Sequence, residues 1–187
     1  MLDLAPKQMR GGGYKTLNFR VIGEHLNTSK ANIHHHFGNK EGLANEVIND
    51  YSSKMLGEFK RLAAECDSDL SQFIKEAEDL FWSACLNTGH CVMCLCDQVT
   101  RFSEVPNGTK RVAQEFYENL FKIVRGVVKK ALKKGDLRPG LKAEQVAHQI
   151  LMLMNGLASV VQMKASVFEA EKTLRGTILS WVKTLMV

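Results

Sequence analysis

The sequence predicts an all-α protein, and three observations carry that expectation. The 187-residue chain contains only three prolines, while the strong helix formers Met, Leu, Ala, Glu and Lys are plentiful. Apolar residues recur at helical spacing along successive segments. The breaks between those segments coincide with strong punctuators: Asn87-Thr88-Gly89, Pro106-Asn107-Gly108, and Gly135 to Gly140 with its Pro139. A chain of this length with 45% hydrophobic residues can bury a core in one large domain or two small ones.

About nine helices follow from the pattern. The first spans roughly 1–10 and contains Pro6, which lacks an N–H and clashes with a preceding helical turn. That helix therefore either begins late, near Pro6, or bends. Helices over 18–26 and 29–36 come next, with Ile22 and Leu26 on one stripe and Ile33 and Phe37 on the other, each pair at i, i+4. Asn18 is placed to cap the first of these. Asn27-Thr28-Ser29 forms a polar turn, from which Ser29 can accept backbone N–H bonds of the second. A long helix from Lys40 to Cys66 follows, then helices over 69–87, 91–102, 107–134, 143–164 and 167–185.

Residues 1–45 thus read as a three-helix, helix-turn-helix domain, and 46–187 as a second helical domain. The helix after the turn presents Lys30, Ala31, Asn32, His34 and His35, a set of small, basic and amide side chains suited to the major groove. Lys30 can reach guanine acceptors or phosphate. Ala31 allows close approach or contact with a thymine methyl. Lys40, at the start of the fourth helix, suits a phosphate, and Asn18 can also contact the DNA backbone.

The order of features resembles the TetR family of transcriptional repressors. The matching residues are Gly13-Tyr14, Ile22-Gly23, the run Ser29-Lys30-Ala31-Asn32-Ile33-His34-His35-His36-Phe37, and Lys40-Glu41-Gly42-Leu43. The diagnostic part covers the first quarter of the chain; the remainder matches only as a series of long helices. Two departures are that the family usually has Tyr at the position of His34, and His-Tyr or Tyr-His at His35-His36. The resemblance implies that the second domain binds an effector and dimerises. It also implies a four-helix bundle built from the last two helices of each subunit. Val146, Ile150, Leu153, Leu157, Val160 and Val161 supply one apolar face for it, and Leu174, Ile178, Trp181, Val182 and Leu185 another.

The charge distribution adds little. The net charge is +5, yet residues 1–50 hold six Lys/Arg against five Asp/Glu, and residues 101–142 hold eleven against four. Lys129, Lys130, Lys133 and Lys134 occupy the last turns before Gly135, where cations complement the helix dipole. The most apolar stretch, Ile150 to Met163, is interrupted by Asn155, Gly156, Ser159 and Gln162 and does not read as a membrane span. With no secretory leader pattern and five cysteines, the expected setting is the reducing cytoplasm. No metal or other cofactor is expected. His34, His35 and His36 project about 100° apart and cannot share an ion, and His36 is expected against the rim of the domain.

Cys85, Cys91, Cys94 and Cys96 fall within twelve residues. Cys91-x-x-Cys94 has zinc-ligand spacing but lacks a second pair, and Cys94 and Cys96 read as buried packing residues. Cys91 follows Gly89-His90 at an expected helix start, where free N–H groups and an imidazole would favour a thiolate. Gly89-His90-Cys91-Val92-Met93-Cys94-Leu95 resembles a TetR subgroup that includes repressors responding to reactive electrophiles. That resemblance makes Cys91 a candidate sensor with Lys164 beside it. A non-covalent effector pocket lined by Phe81, Trp82, Met93, Phe121, Met152 and Met154 is the competing arrangement.

The functional expectation is a dimeric repressor that binds a palindromic double-stranded operator and is released by a small molecule or electrophile. No catalytic residue is expected: the chain has no Gly-rich phosphate loop, no Gly-x-Ser-x-Gly and no His-Glu-x-x-His. A cysteine-dependent helical enzyme and a helical protein-binding adaptor are the alternatives.

Overall fold

A computed structural model describes residues 4–25, 27–100 and 104–187. Every regular element among them is helical: α1 Leu4–Gly12, a 3-10 turn Tyr14–Thr16, α2 Phe19–His25, α3 Lys30–Phe37, α4 Lys40–Glu65, α5 Leu70–Thr88, α6 Leu95–Thr100, α7 Asn107–Lys134, α8 Ala143–Gln162, α9 Val167–Leu174 and α10 Thr177–Lys183. The sole extended pairing among these residues is an isolated bridge between Leu137 and Met186. No described helix is long and apolar enough to cross a membrane.

The chain divides into two compact units. One comprises residues 1–56 and 94–118, the other 57–93 and 119–187, so α4 and α7 each contribute to both. In the first unit α1 buries Ala5 and Met9, one turn apart, and packs against α6. Pro6 is the third residue of α1 as described. No described carbonyl lies four residues before it, and first-turn N–H groups have no intrahelical partner in any case. The proline thus sits where its missing donor costs least. Its effect is a local matter of one turn.

In the second unit α5 is the central element, burying Phe73, Ile74, Trp82 and Cys85, with α9 and α10 packed on it and α8 on both of those. Here the expected helix 167–185 is divided in two. Gly176 adopts φ +80°, which an L side chain rarely adopts, and interrupts the helix between Leu174 and Thr177. Glu78 of α5, buried, accepts the Ile178 N–H at 3.0 Å, and also that of Gly176. A remote carboxylate thus caps α10, and the break leaves no N–H stranded there. Burial pushes the Glu78 carboxyl above its ordinary range, opposed by those backbone donors.

The helix expected over 91–102 also differs, since α6 begins only at Leu95. The Val92 N–H is directed to the Cys85 sulfur at 3.2 Å. The chain ahead of α6 is thereby held by a side chain rather than by a helical ladder.

Candidate nucleic-acid interface and thiol clusters

The helix-turn-helix is built from local bonds. Asn18 Oδ1 accepts the Arg20 N–H at 3.0 Å and so caps α2, while the Asn18 N–H donates to Gln8 Oε1. Asn27 takes φ +50°, and the Thr28 N–H returns to Gly23 O at 2.9 Å, which reverses the chain. Ser29 Oγ accepts the Asn32 N–H at 3.0 Å and caps α3. Asn32 Nδ2 donates to Thr28 Oγ1 at 2.8 Å, fastening the first turn of α3 to the loop before it.

Beneath the turn, Ile22 and Ile33 are fully buried, while Phe37, expected to be buried, is only partly so. Leu26 lies outside the described residues, as does the Lys30 side chain. Ala31, Asn32, His34, His35 and His36 are all exposed on α3. The His34 ring meets Phe19 edge-on at 5.4 Å, and His36 lies against Phe37. The three histidines thus have separate surroundings. Among the described residues, no group of three His, Cys, Asp or Glu side chains converges as a metal ion requires.

The entry to α4 is fixed just as tightly. Gly38 ends α3 at φ +70° with its N–H on His34 O, and Asn39 Oδ1 accepts the Gly42 N–H at 2.8 Å. A Cβ on Gly42 would lie 2.1 Å from Phe37 O, so only glycine permits this approach. Lys40 is half-buried: its Nζ donates to Lys15 O at 2.7 Å and lies 5.0 Å from the Tyr14 ring centroid. Burial pushes its pKa down. The ammonium is thus already engaged with the segment joining α1 to α2.

The effector candidates fall into two groups, all within the second unit. Trp82 is fully buried in a core cluster with Cys85, Val161, Val167 and Ala170, and Phe81 and Cys91 pack against that cluster. The Trp82 indole N–H has no hydrogen-bond partner among the described residues. Met93 is buried. By contrast, Phe121 stacks on His148 with ring centroids 4.2 Å apart, Met152 is 61% exposed, and Lys164 is exposed. Met154 is half-buried on α8.

Cys91 does not stand at a helix start; three non-helical residues separate it from Leu95. The basis for an acidic Cys91 therefore fails. Its half-buried thiol faces Ala158 O at 3.1 Å and the neighbouring Cys85 sulfur, two acceptors for one proton. Donation to Cys85, then burial, pushes the Cys91 thiol far above its ordinary range. The partner gains what Cys91 loses. Cys85 is lowered to about 7, first by that thiol donor and then by the Val92 N–H, against the cost of burial.

A second thiol group, in the first unit, was not expected from the sequence. Cys94 immediately precedes α6, and its carbonyl accepts the Gln98 N–H at 3.0 Å. Its half-buried sulfur receives the Cys96 thiol, the Asp97 N–H, the Tyr51 hydroxyl and the Cys96 N–H, and is lowered to about 6 despite burial. Cys96 and Ser52 are buried, with Ser52 Oγ 3.6 Å from Cys96 Sγ. Tyr51 and Ser52 lie some forty positions away along the chain, and no spacing rule joins them to Cys94.

Comparisons with known proteins agree with this architecture. Residues 1–47 match the family model described as bacterial regulatory proteins, tetR family. No curated protein sequence matches the chain. A TetR-family transcriptional regulator from Agrobacterium tumefaciens is similar in fold, with TM-score 0.84 and 18% identity over 100% of this chain and 95% of that one. The reduced form of Escherichia coli NemR gives 0.81 and 13% identity, covering 100% and 95%. FadR from Bacillus subtilis, in complex with stearoyl-CoA, gives 0.72 and 14% identity, covering 97% and 95%. The chain is a transcriptional regulator of the TetR family, identified by its N-terminal segment and carrying that family's fold. Members of this family are regulators rather than enzymes.

Proposed function

We propose that the chain is a cytoplasmic, dimeric repressor that binds a palindromic double-stranded DNA operator and is released by a small-molecule or electrophile effector. In this reading residues 1–45 are the DNA-binding domain and 46–187 the effector-binding and dimerisation domain. The observation that carries it is the exposed face of α3, where Ala31, Asn32, His34 and His35 stand clear of a buried Ile22–Ile33 contact. A capped helix held by one apolar side, with small and polar groups on the other, suits docking in the major groove. Lys30, Asn18 and the Ser29 turn would meet phosphates; His36 would stand at the edge of that surface. Lys40 would do so only by leaving Lys15 O.

Dimerisation is supported by the large apolar side chains left exposed on α8 and beyond: Met152, Leu153, Val160, Met163 and Phe168. Effector binding is supported by the Trp82–Cys85–Cys91 cluster, with Phe81 and Met93 near it in the fold's central helix and the segment after it. The choline and stearoyl-CoA found with two proteins of similar fold differ widely, so the fold alone selects no ligand class. Phe121, Met152, Lys164 and Met154 belong to the same unit and would complete the chamber only from other sides of it.

The test is selection of bound fragments from genomic DNA, followed by gel shift across salt concentrations. Lys30→Ala should weaken binding to the selected fragment and reduce the salt slope by about one if the contact is to phosphate. Its melting temperature should stay near that of the wild type. Unchanged affinity across salt would remove Lys30 from the interface. Failure to select any fragment would remove the repressor reading itself.

A further inference from the structure

We propose that Cys94 is a covalent modification site for soft carbon electrophiles, with Tyr51 and Cys96 as the groups that hold its sulfur ready to react. The site is a cluster rather than a single cysteine. Tyr51 and Ser52 come from α4, and Cys94 and Cys96 from the chain entering α6. Four side-chain hydroxyl and thiol groups are thereby gathered within one compact unit.

The proton count sets the direction of the cluster. Tyr51 carries a phenol pushed well above its ordinary value, first by burial and then by the Cys94 charge, so it keeps its proton and donates it. Ser52 donates to Cys96, which leaves the Cys96 proton for Cys94. Two side-chain donors and the N–H groups of Cys96 and Asp97 thus meet at one sulfur. Such an arrangement favours the thiolate, which is the nucleophile. Arg10 of α1 lies over the Tyr51 ring at 5.6 Å and the Tyr51 ring packs on Phe116 at 6.0 Å, so the phenol is held from two sides. Cys94 itself is half-buried and open to a small reagent, whereas Cys66, Cys85 and Cys96 are buried.

With an α,β-unsaturated carbonyl the step balances without an oxidant. Cys94 first gives its proton to water. Its sulfur then forms a bond to the β-carbon, and the π pair moves onto the carbonyl as an enolate. The enolate carbon takes a proton from water or from Tyr51, which is reprotonated by water. A thiol and an alkene have become a thioether. Nothing is oxidised or reduced.

The experiment is brief labelling of the full-length native protein with a substoichiometric maleimide near neutral pH, followed by peptide mass spectrometry. The expected result is an adduct mainly on Cys94, resolved from Cys91 and Cys96 by fragmentation. Tyr51→Phe retains the ring against Phe116 and Arg10, so its circular dichroism spectrum and melting temperature should match the wild type. Its Cys94 labelling should slow severalfold, and the pH midpoint of that labelling should rise. Labelling spread evenly over the cysteines, or concentrated on Cys91, would overturn the proposal. So would a Tyr51→Phe protein that labels at the wild-type rate with an unchanged midpoint.

Discussion

Two short turns of this molecule, the one between α2 and α3 and the one between α5 and α6, obtain their partners in opposite ways. In the first, Thr28, Ser29 and Asn32 bond to groups no more than five residues distant. In the second, Thr88 makes local bonds, but the sulfurs look outward: Cys91 reaches Ala158, sixty-seven positions on, and Cys94 reaches Tyr51. A turn closed by its own side chains keeps its geometry wherever that sequence occurs. A turn closed by remote groups has the chemistry that those groups impose.

The largest test of this contrast is Trp82→Ala. Trp82 is the largest fully buried side chain and lies beneath the cysteine turn together with Cys85. The substitution should cost about 3–5 kcal/mol through lost burial and the cavity left behind, read by denaturant unfolding. It should also raise the reactivity of Cys85 and Cys91 together. A loss below about 1 kcal/mol, smaller than the usual cost of truncating a core side chain, would mean that remote packing does not hold this turn.

Ile33→Ala probes the apolar floor of the other turn and should cost about 2–5 kcal/mol, with DNA binding lost in proportion to unfolding. Ser29→Ala should cost about 1 kcal/mol, because it removes a cap while leaving that floor in place. The two variants together show whether the first turn is held by local bonds or merely by burial. If Ser29→Ala leaves stability unchanged while Ile33→Ala is severe, the turn resembles its counterpart after all.

The same contrast explains what could be read from the residues alone. Asn18 and Ser29 were legible as caps because capping operates over two or three residues. The all-α class and the order of the helices followed from spacing and punctuation. The break at Gly176 was not legible, since the acceptor that makes it tolerable is Glu78, about a hundred positions earlier. The early start assigned to the helix after Gly89 had the same cause. Nothing near Val92 in sequence announces that its N–H will bond to Cys85. Acidity was then assigned to Cys91 from a helix start that the fold places elsewhere, while Cys85 and Cys94 receive the donors.

The smallest expected change in stability, and the most direct reading of the second turn, comes from Cys91→Ala. Removing one half-buried sulfur should cost no more than about 0.8 kcal/mol, the value of one buried methylene. What should move is the ionisation of Cys85, followed by ultraviolet thiolate absorbance in a Cys94→Ser background. With Cys91 present, the folded-state value for Cys85 is about 7, and its principal cause is the Cys91 thiol. Without that donor the midpoint should rise toward the ordinary cysteine value of about 8.5, with the Val92 N–H retaining part of the depression. The sign for stability follows. Between about 7 and the ordinary value, the folded state with Cys91 binds fewer protons than the unfolded chain, so stability rises with pH and is lost as pH falls through about 7. Above the ordinary value the unfolded chain also ionises Cys91, which the folded state keeps protonated, and stability falls again. Cys91→Ala should flatten the rise and abolish the Cys91 part of the fall. A Cys85 midpoint that stays at about 7 in this variant would show that Cys91 is not its proton donor.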